Sequence, residues 1–160
     1  MMKRRRIPYL PCLLFVALLC LCSCDLLNCT PADVKGLKIE ICDVEGNTLT
    51  LSDTLTVTAC GTDSVLLNRN LNTKEMLLPM SYHAAEDTFV LRYYCEDFDV
   101  KDTLFVAKTN HIYYESPDCP TVMMHTIEGV RCAQVFVDSV EVVNKNVDFV
   151  DATNVRLFIR

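Results

Sequence analysis

From Lys35 onward, apolar and polar residues alternate with a period of two. Leu37, Ile39 and Ile41 are separated by Lys38 and Glu40, and Leu55, Val57 and Ala59 by Thr56 and Thr58. The spacing returns in Phe89, Leu91 and Tyr93, in Leu104 and Val106, in Val140 and Val142, and in Val155, Leu157 and Ile159. Successive side chains of a strand point to opposite faces, so this pattern gives one face to a core and the other to water. Val, Ile, Thr, Tyr and Phe, which fill the runs, suit a pleated, half-buried surface. No stretch of helical length after residue 35 carries a 3.6-residue period. The alternation predicts an all-β domain over residues 35–160, an antiparallel β-sandwich of about eight strands, with a small closed β-barrel as the alternative.

The strand-like runs lie near residues 36–43, 48–51, 54–60, 64–68, 88–95, 102–107, 111–115, 120–126, 135–143 and 154–160, some of them merging. Leu55, Val57, Leu91, Leu104, Val142, Val155, Leu157 and Ile159 are the expected inward set, and the last run is expected to pair inside a sheet. Asp followed by Ser or Thr and then an apolar residue occurs at Asp53, Asp63, Asp87, Asp102 and Asp138. An Asp side chain turns its own backbone and a β-branched residue then starts a strand, so all five are read as turns that begin strands. Their uneven spacing is unlike a calcium loop.

The first 23 residues have a different character. Lys3, Arg4, Arg5 and Arg6 precede an apolar segment, Ile7 to Leu21, interrupted only by Pro8 and Pro11. A basic region followed by a short apolar one is the layout of a secretory signal peptide, and the run is too short for the roughly 18 apolar residues of a membrane span. Leu21-Cys22-Ser23-Cys24 resembles a bacterial lipobox, with a small residue before the acceptor cysteine. Cleavage before Cys24 and acylation of its thiol would anchor the chain in a membrane, since two or three acyl chains hold a protein stably. An ordinary secretory signal cut near Ser23 is the competing reading. Residues 24–34 then form a short tether rich in turn formers (Asn28, Thr30, Pro31, Asp33). The tether lacks an acidic run after Cys24, which favours the periplasmic side of an outer membrane over the cell surface.

Removing residues 1–23 leaves 11 basic against 21 acidic residues, a net charge of −10. Such a domain repels phosphate backbones, so nucleic acid is not an expected partner. Seven of the ten cysteines remain: Cys24, Cys29, Cys42, Cys60, Cys95, Cys119 and Cys132. With Cys24 acylated, the other six sit in a compartment that permits disulfides, and six thiols allow about 15 complete pairings. Cys29, in Asn-Cys-Thr-Pro, and Cys119, in Ser-Pro-Asp-Cys-Pro, both occupy turn-rich settings where a bridge disturbs no strand pairing. A Cys29–Cys119 bond is the expected bridge; the alternative leaves one or both free.

Catalytic patterns are missing from the sequence. His83, His111 and His125 are isolated, no C-x-x-C follows Cys24, and no metal or cofactor is expected. There is no G-x-S-x-G, no H-E-x-x-H and no phosphate loop, with only four glycines in the chain. The histidines are read as surface or loop residues. Glu96 and Asp99 form a chance carboxylate pair among many acids. Tyr93-Tyr94 and Tyr113-Tyr114 offer one outward ring each as a weak sugar platform.

The order of short segments resembles a family of small lipoproteins of unknown function from Bacteroides-type bacteria. The matching pieces are the lipobox and Cys29, Asp53-Thr-Leu-Thr-Val, Gly61-Thr-Asp-Ser-Val-Leu-Leu-Asn68, Leu77-Leu-Pro79, Thr88-Phe-Val-Leu91, Asp102-Thr-Leu104, Cys119, Val137-Asp-Ser-Val-Glu-Val142 and Asn154-Val-Arg-Leu-Phe-Ile159. Pro120 stands where that family typically has glycine, and Cys42, Cys60, Cys95 and Cys132 are additions. The resemblance implies an exported, lipid-anchored β domain and carries no activity. The sequence therefore leads to the expectation of a non-enzymatic envelope lipoprotein with a structural or binding role beside a protein partner. A surface ligand-binding or adhesin module is the alternative, and an enzyme is the third choice.

Overall fold

The computed structural model describes Cys29 and residues 36–160; the expected signal segment 1–23, the lipid acceptor Cys24 and the rest of the tether 24–34 lie outside the described residues. The described residues contain no helix. In chain order the strands are β1 (Leu37–Cys42), β2 (Thr54–Ala59), β3 (Ser64–Asn70), β4 (Glu75–Leu78), β5 (Glu86–Tyr94), β6 (Asp99–Tyr113), β7 (Val122–Cys132), β8 (Val137–Val142), β9 (Asn146–Val147) and β10 (Val155–Ile159). They form a four-stranded sheet, β4-β1-β10-β8, and a six-stranded sheet, β3-β2-β5-β6-β7-β9. The architecture is an all-β sandwich, and neither sheet closes into a barrel.

Alternation set the faces as expected. Ile39, Ile41, Val155 and Leu157 from the smaller sheet are buried, as are Leu55, Val57, Phe89, Leu91, Leu104 and Val106 from the larger one. Val142, on the edge strand β8, is only half-buried and packs against this core. β10 lies inside its sheet between β1 and β8. Its pairing with β1 is parallel, Ile39 beside Val155 and Ile41 beside Leu157, whereas every other strand pair is antiparallel. Gly36 makes the start of β1 possible. Its φ is +81°, and a Cβ there would sit 2.8 Å from the Leu78 carbonyl oxygen on β4.

Some boundaries differ from the sequence reading. The runs 102–107 and 111–115 fuse into the 15-residue β6, whose partner β7 carries a register shift opposite Ala107 and Lys108. The run 48–51 forms two isolated bridges, Cys42 with Thr48 and Leu51 with Thr73. β4 and the two-residue β9 are strands that the sequence pattern did not reveal.

The aspartates divide into two groups. Asp53 and Asp63 directly precede β2 and β3, and Asp63 holds a left-handed φ of 53°, as a turn residue would. Asp87, Asp102 and Asp138 instead lie within β5, β6 and β8, so the turn reading is corrected for these three. Asp102 is 1 % exposed and accepts hydrogen bonds from the amides of Thr103, Ala133, Val135, Phe136 and Val137. Its carboxylate thereby fixes the passage from β7 in one sheet to β8 in the other. Towards the opposite end of β6, the buried Asn154 plays a comparable part. Its Oδ1 accepts the Lys38 amide of β1 and its Nδ2 donates to the carbonyls of Asn144 and Asn146 beside β9. A buried polar side chain thus joins the two sheets at each end.

Candidate functional site

Cys29 and Cys119 form a disulfide, with Cα atoms 5.7 Å apart across 90 residues of sequence. This spacing is ordinary for a bridge. Cys119 lies in the loop that closes the β6–β7 hairpin, past the final pair Tyr113–Val122, where its amide donates to the Ser116 carbonyl. Cys29 is therefore stapled to the tip of the β6–β7 hairpin.

Below that tip the inner face of the hairpin changes from apolar to polar. Leu104 and Val106 belong to the core; two and four residues further along β6 stand Lys108 and Asn110 on the same face. Lys108 keeps none of its side chain in solvent. Its ammonium donates to the carbonyls of Ser81 and Ala84 and to Asn110 Oδ1, and lies 3.5 Å from Asp87. Burial pushes the Lys108 pKa down while Asp87 pulls it up. Asn110 in turn donates to the carbonyls of Tyr82 and Ala84, so its Oδ1 must be the acceptor towards His125 Nδ1 at 2.8 Å. Because Oδ1 can only accept, the network places the imidazole proton on Nδ1. Burial first, and the Lys108 charge second, lower the His125 pKa below its ordinary value. This cluster satisfies the carbonyls of the 81–84 segment and seals one end of the core.

The reading of the histidines as surface residues holds for His83 and His111, both exposed, and is corrected for His125, which is 4 % exposed. The signal was present in the sequence: Lys108 falls on the same alternating stripe as Leu104 and Val106, where a charge needs partners.

The remaining candidates are dispersed. Tyr94 and Tyr114 are the outer rings of their pairs, but Tyr94 pairs with Asp99 at one end of β6 and Tyr114 follows the other, so they make no shared platform. Asp99 is held by Arg92 through two hydrogen bonds of 2.7 and 2.6 Å, which keep its carboxyl below the usual range, while Glu96 is exposed in the preceding turn. Cys42, Cys60, Cys95 and Cys132 are free. Burial raises the thiol pKa of Cys42 and Cys132 and keeps them protonated. A groove of about 460 Å³ runs between the 59–62 turn and the 79–89 segment, with Cys60, Pro79, Ser81, Asp87 and Phe89 on its walls. Asp87 there is already engaged by the Ser81 amide and by Lys108. Among the described residues no group of three or more Cys, His, Asp or Glu is placed to hold a metal ion.

No curated protein and no solved structure matches the chain. One family profile does, from Thr54 at the start of β2 to Ile159 at the end of β10, which takes in both sheets apart from β1. With two thirds of its length matched, the chain belongs to DUF6452, a family of unknown function.

Proposed function

We propose that the protein is a lipid-anchored envelope domain with a non-enzymatic structural or binding role, held on the periplasmic side of an outer membrane through acylated Cys24. The observation that carries this reading is the Cys29–Cys119 bond, five residues beyond the lipobox cysteine. A bridge that spans 90 residues suits an exported protein, because reducing compartments keep thiols free. Its place is equally informative, since it fastens the tether to the folded unit instead of leaving it slack. The polar residues support the non-enzymatic part. All three N–H donors of Lys108 are taken by protein acceptors, and Asp87 and Asn110 are engaged with the same segment, so this cluster is committed to folding.

A second reading, a surface ligand-binding module, draws on the groove beside Cys60 and Phe89. Protease treatment of intact cells separates the two. The proposal expects the domain to fractionate with the outer membrane and to resist external protease, and Cys24→Ala to accumulate as unprocessed or mislocalised precursor. Digestion on intact cells favours the surface module, and a Cys24→Ala variant that localises normally removes the anchor.

A further inference from the structure

We propose that the closed end of the β6–β7 hairpin is the membrane-facing surface of this domain, resting on phospholipid with Ile112, Tyr114 and Tyr82. The inference rests on the anchor reading above and adds an orientation to it.

The reach of the chain decides the geometry. From Cys24 to the start of β1 at Leu37 are 13 residues, which can span roughly 45 Å when extended. β6 alone, with 15 residues, is also roughly 45 Å long. A free tether would therefore let any face of the domain approach the bilayer. The Cys29–Cys119 bond removes that freedom. Cys29 is only five positions beyond Cys24, so an acylated Cys24 lies within roughly 25 Å of Cys119, bridge included. The hairpin tip is thereby held within that distance of the lipid, whereas the bridge sets no such limit on the turn between β5 and β6 at the other end of β6.

The surface at that tip suits a bilayer. Ile112 pairs with Met123 on the face that continues the inner stripe of β6 past Asn110 and His125. Among the described residues no strand of the smaller sheet pairs with this end of β6, and Ile112 is 71 % exposed. Tyr82 stacks on His125 with ring centroids 6.4 Å apart and is itself largely exposed. Tyr114 leaves the strand next to Tyr113, whose ring meets Phe149 edge-on, and Val150 beyond it is exposed as well. Tyrosine with neighbouring aliphatic groups is the composition that settles at the boundary between headgroups and water. The charged groups nearby include His111, Glu115 and Asp118, with Asp148 beside Phe149. Carboxylates outnumber cations around these side chains, and the nearby Lys38 ammonium is paired with Asp151 at 3.0 Å, so the contact is apolar and depends on the acyl anchor, not on attraction to anionic lipid.

The chain has no tryptophan, so a single one reports unambiguously. Tyr114→Trp and, at the opposite end, Phe98→Trp are each introduced into the full chain expressed in a bacterial envelope. Each protein is reconstituted into phosphatidylethanolamine and phosphatidylglycerol vesicles brominated in the upper acyl chain, and mass spectrometry records the state of Cys24. Emission of Trp at position 114 is expected to shift to the blue and to fall to roughly half, with Trp at position 98 unchanged, as an interfacial ring requires. Adding Cys29→Ser is expected to abolish the difference. Acylated protein in which the two positions are quenched alike, or in which only position 98 is quenched, overturns the orientation while leaving the anchor standing. Unacylated Cys24 overturns the anchor and the orientation together.

Discussion

The Asp102 carboxylate accepts the Val137 amide at 3.0 Å, binding β6 of the larger sheet to the first residue of β8 in the smaller one. Four more amides, those of Thr103, Ala133, Val135 and Phe136, end on the same two oxygens. Removing the acceptor leaves the buried Val137 amide and four part-buried ones without their partner, and a fully buried unpaired donor costs about 1–3 kcal/mol. Asp102→Ala is therefore expected to lose at least about 3 kcal/mol, read as a lower urea midpoint. A change below about 1 kcal/mol would mean that water replaces the carboxylate without strain.

The last strand offers a test of register. Leu157 is buried between the sheets, whereas Arg156 faces outward to Glu40 at 3.1 Å, with its side chain 41 % exposed. Leu157→Ala is expected to cost about 2–5 kcal/mol and Arg156→Ala about 1 kcal/mol or less. Chemical denaturation of both variants measures the contrast, and a reversed order would place the strand one residue out of register.

Acid sensitivity should begin with His125. Its folded-state pKa is lowered, by burial first and by Lys108 second, from an ordinary value of about 6.5. As pH falls through about 6.5 the unfolded imidazole takes up a proton while the folded one stays neutral, so stability declines until the folded pKa is passed. Glu40, Asp43 and Asp99, whose carboxyl pKa values are also lowered in the fold, extend the loss below about pH 4.5. Thermal melts from pH 7.5 to 5 are expected to show the first decline, and His125→Gln, which keeps a donor towards Asn110, to flatten it. An unchanged slope in that variant would assign the decline to other groups.

Much of this fold is legible in the sequence because alternation fixes which face each strand buries. The stripes Leu55–Val57, Leu104–Val106 and Val155–Leu157 all lie where their spacing puts them. Partner choice is another matter. Nothing local tells β10 to lie parallel to β1, since that pairing joins residues more than 100 apart. Glu75–Leu78 is short and lacks β-branched residues, so it becomes a strand through its neighbour β1. The Asp-Ser/Thr-apolar pattern marks Asp53 and Asp63 correctly but cannot distinguish them from Asp102, whose buried role depends on amides some 31–35 residues downstream. The Lys108–Asn110–His125 cluster was visible only as a charge on an apolar stripe; its partners come from a loop in another part of the chain.

The disulfide should also govern stability. Closing a loop of 90 residues restricts the unfolded chain by about 4–5 kcal/mol in the entropy model. Reduction, or Cys119→Ser, is expected to lower the melting temperature by several degrees without changing the sheet-dominated circular dichroism. An unaltered melting curve would show that the bridge contributes orientation without stability.

In the proposed anchor, one short segment carries both a lipid and a staple. Tryptic digestion of the full-length protein, isolated from an envelope without reductant, tests both at once. The expected product is a linked species joining residues 24–35, which include Cys29, to residues 109–131, which include Cys119, with acyl chains on Cys24 as the first residue. Recovery of those peptides unlinked, or of Cys24 unmodified and still preceded by Ser23, would contradict it.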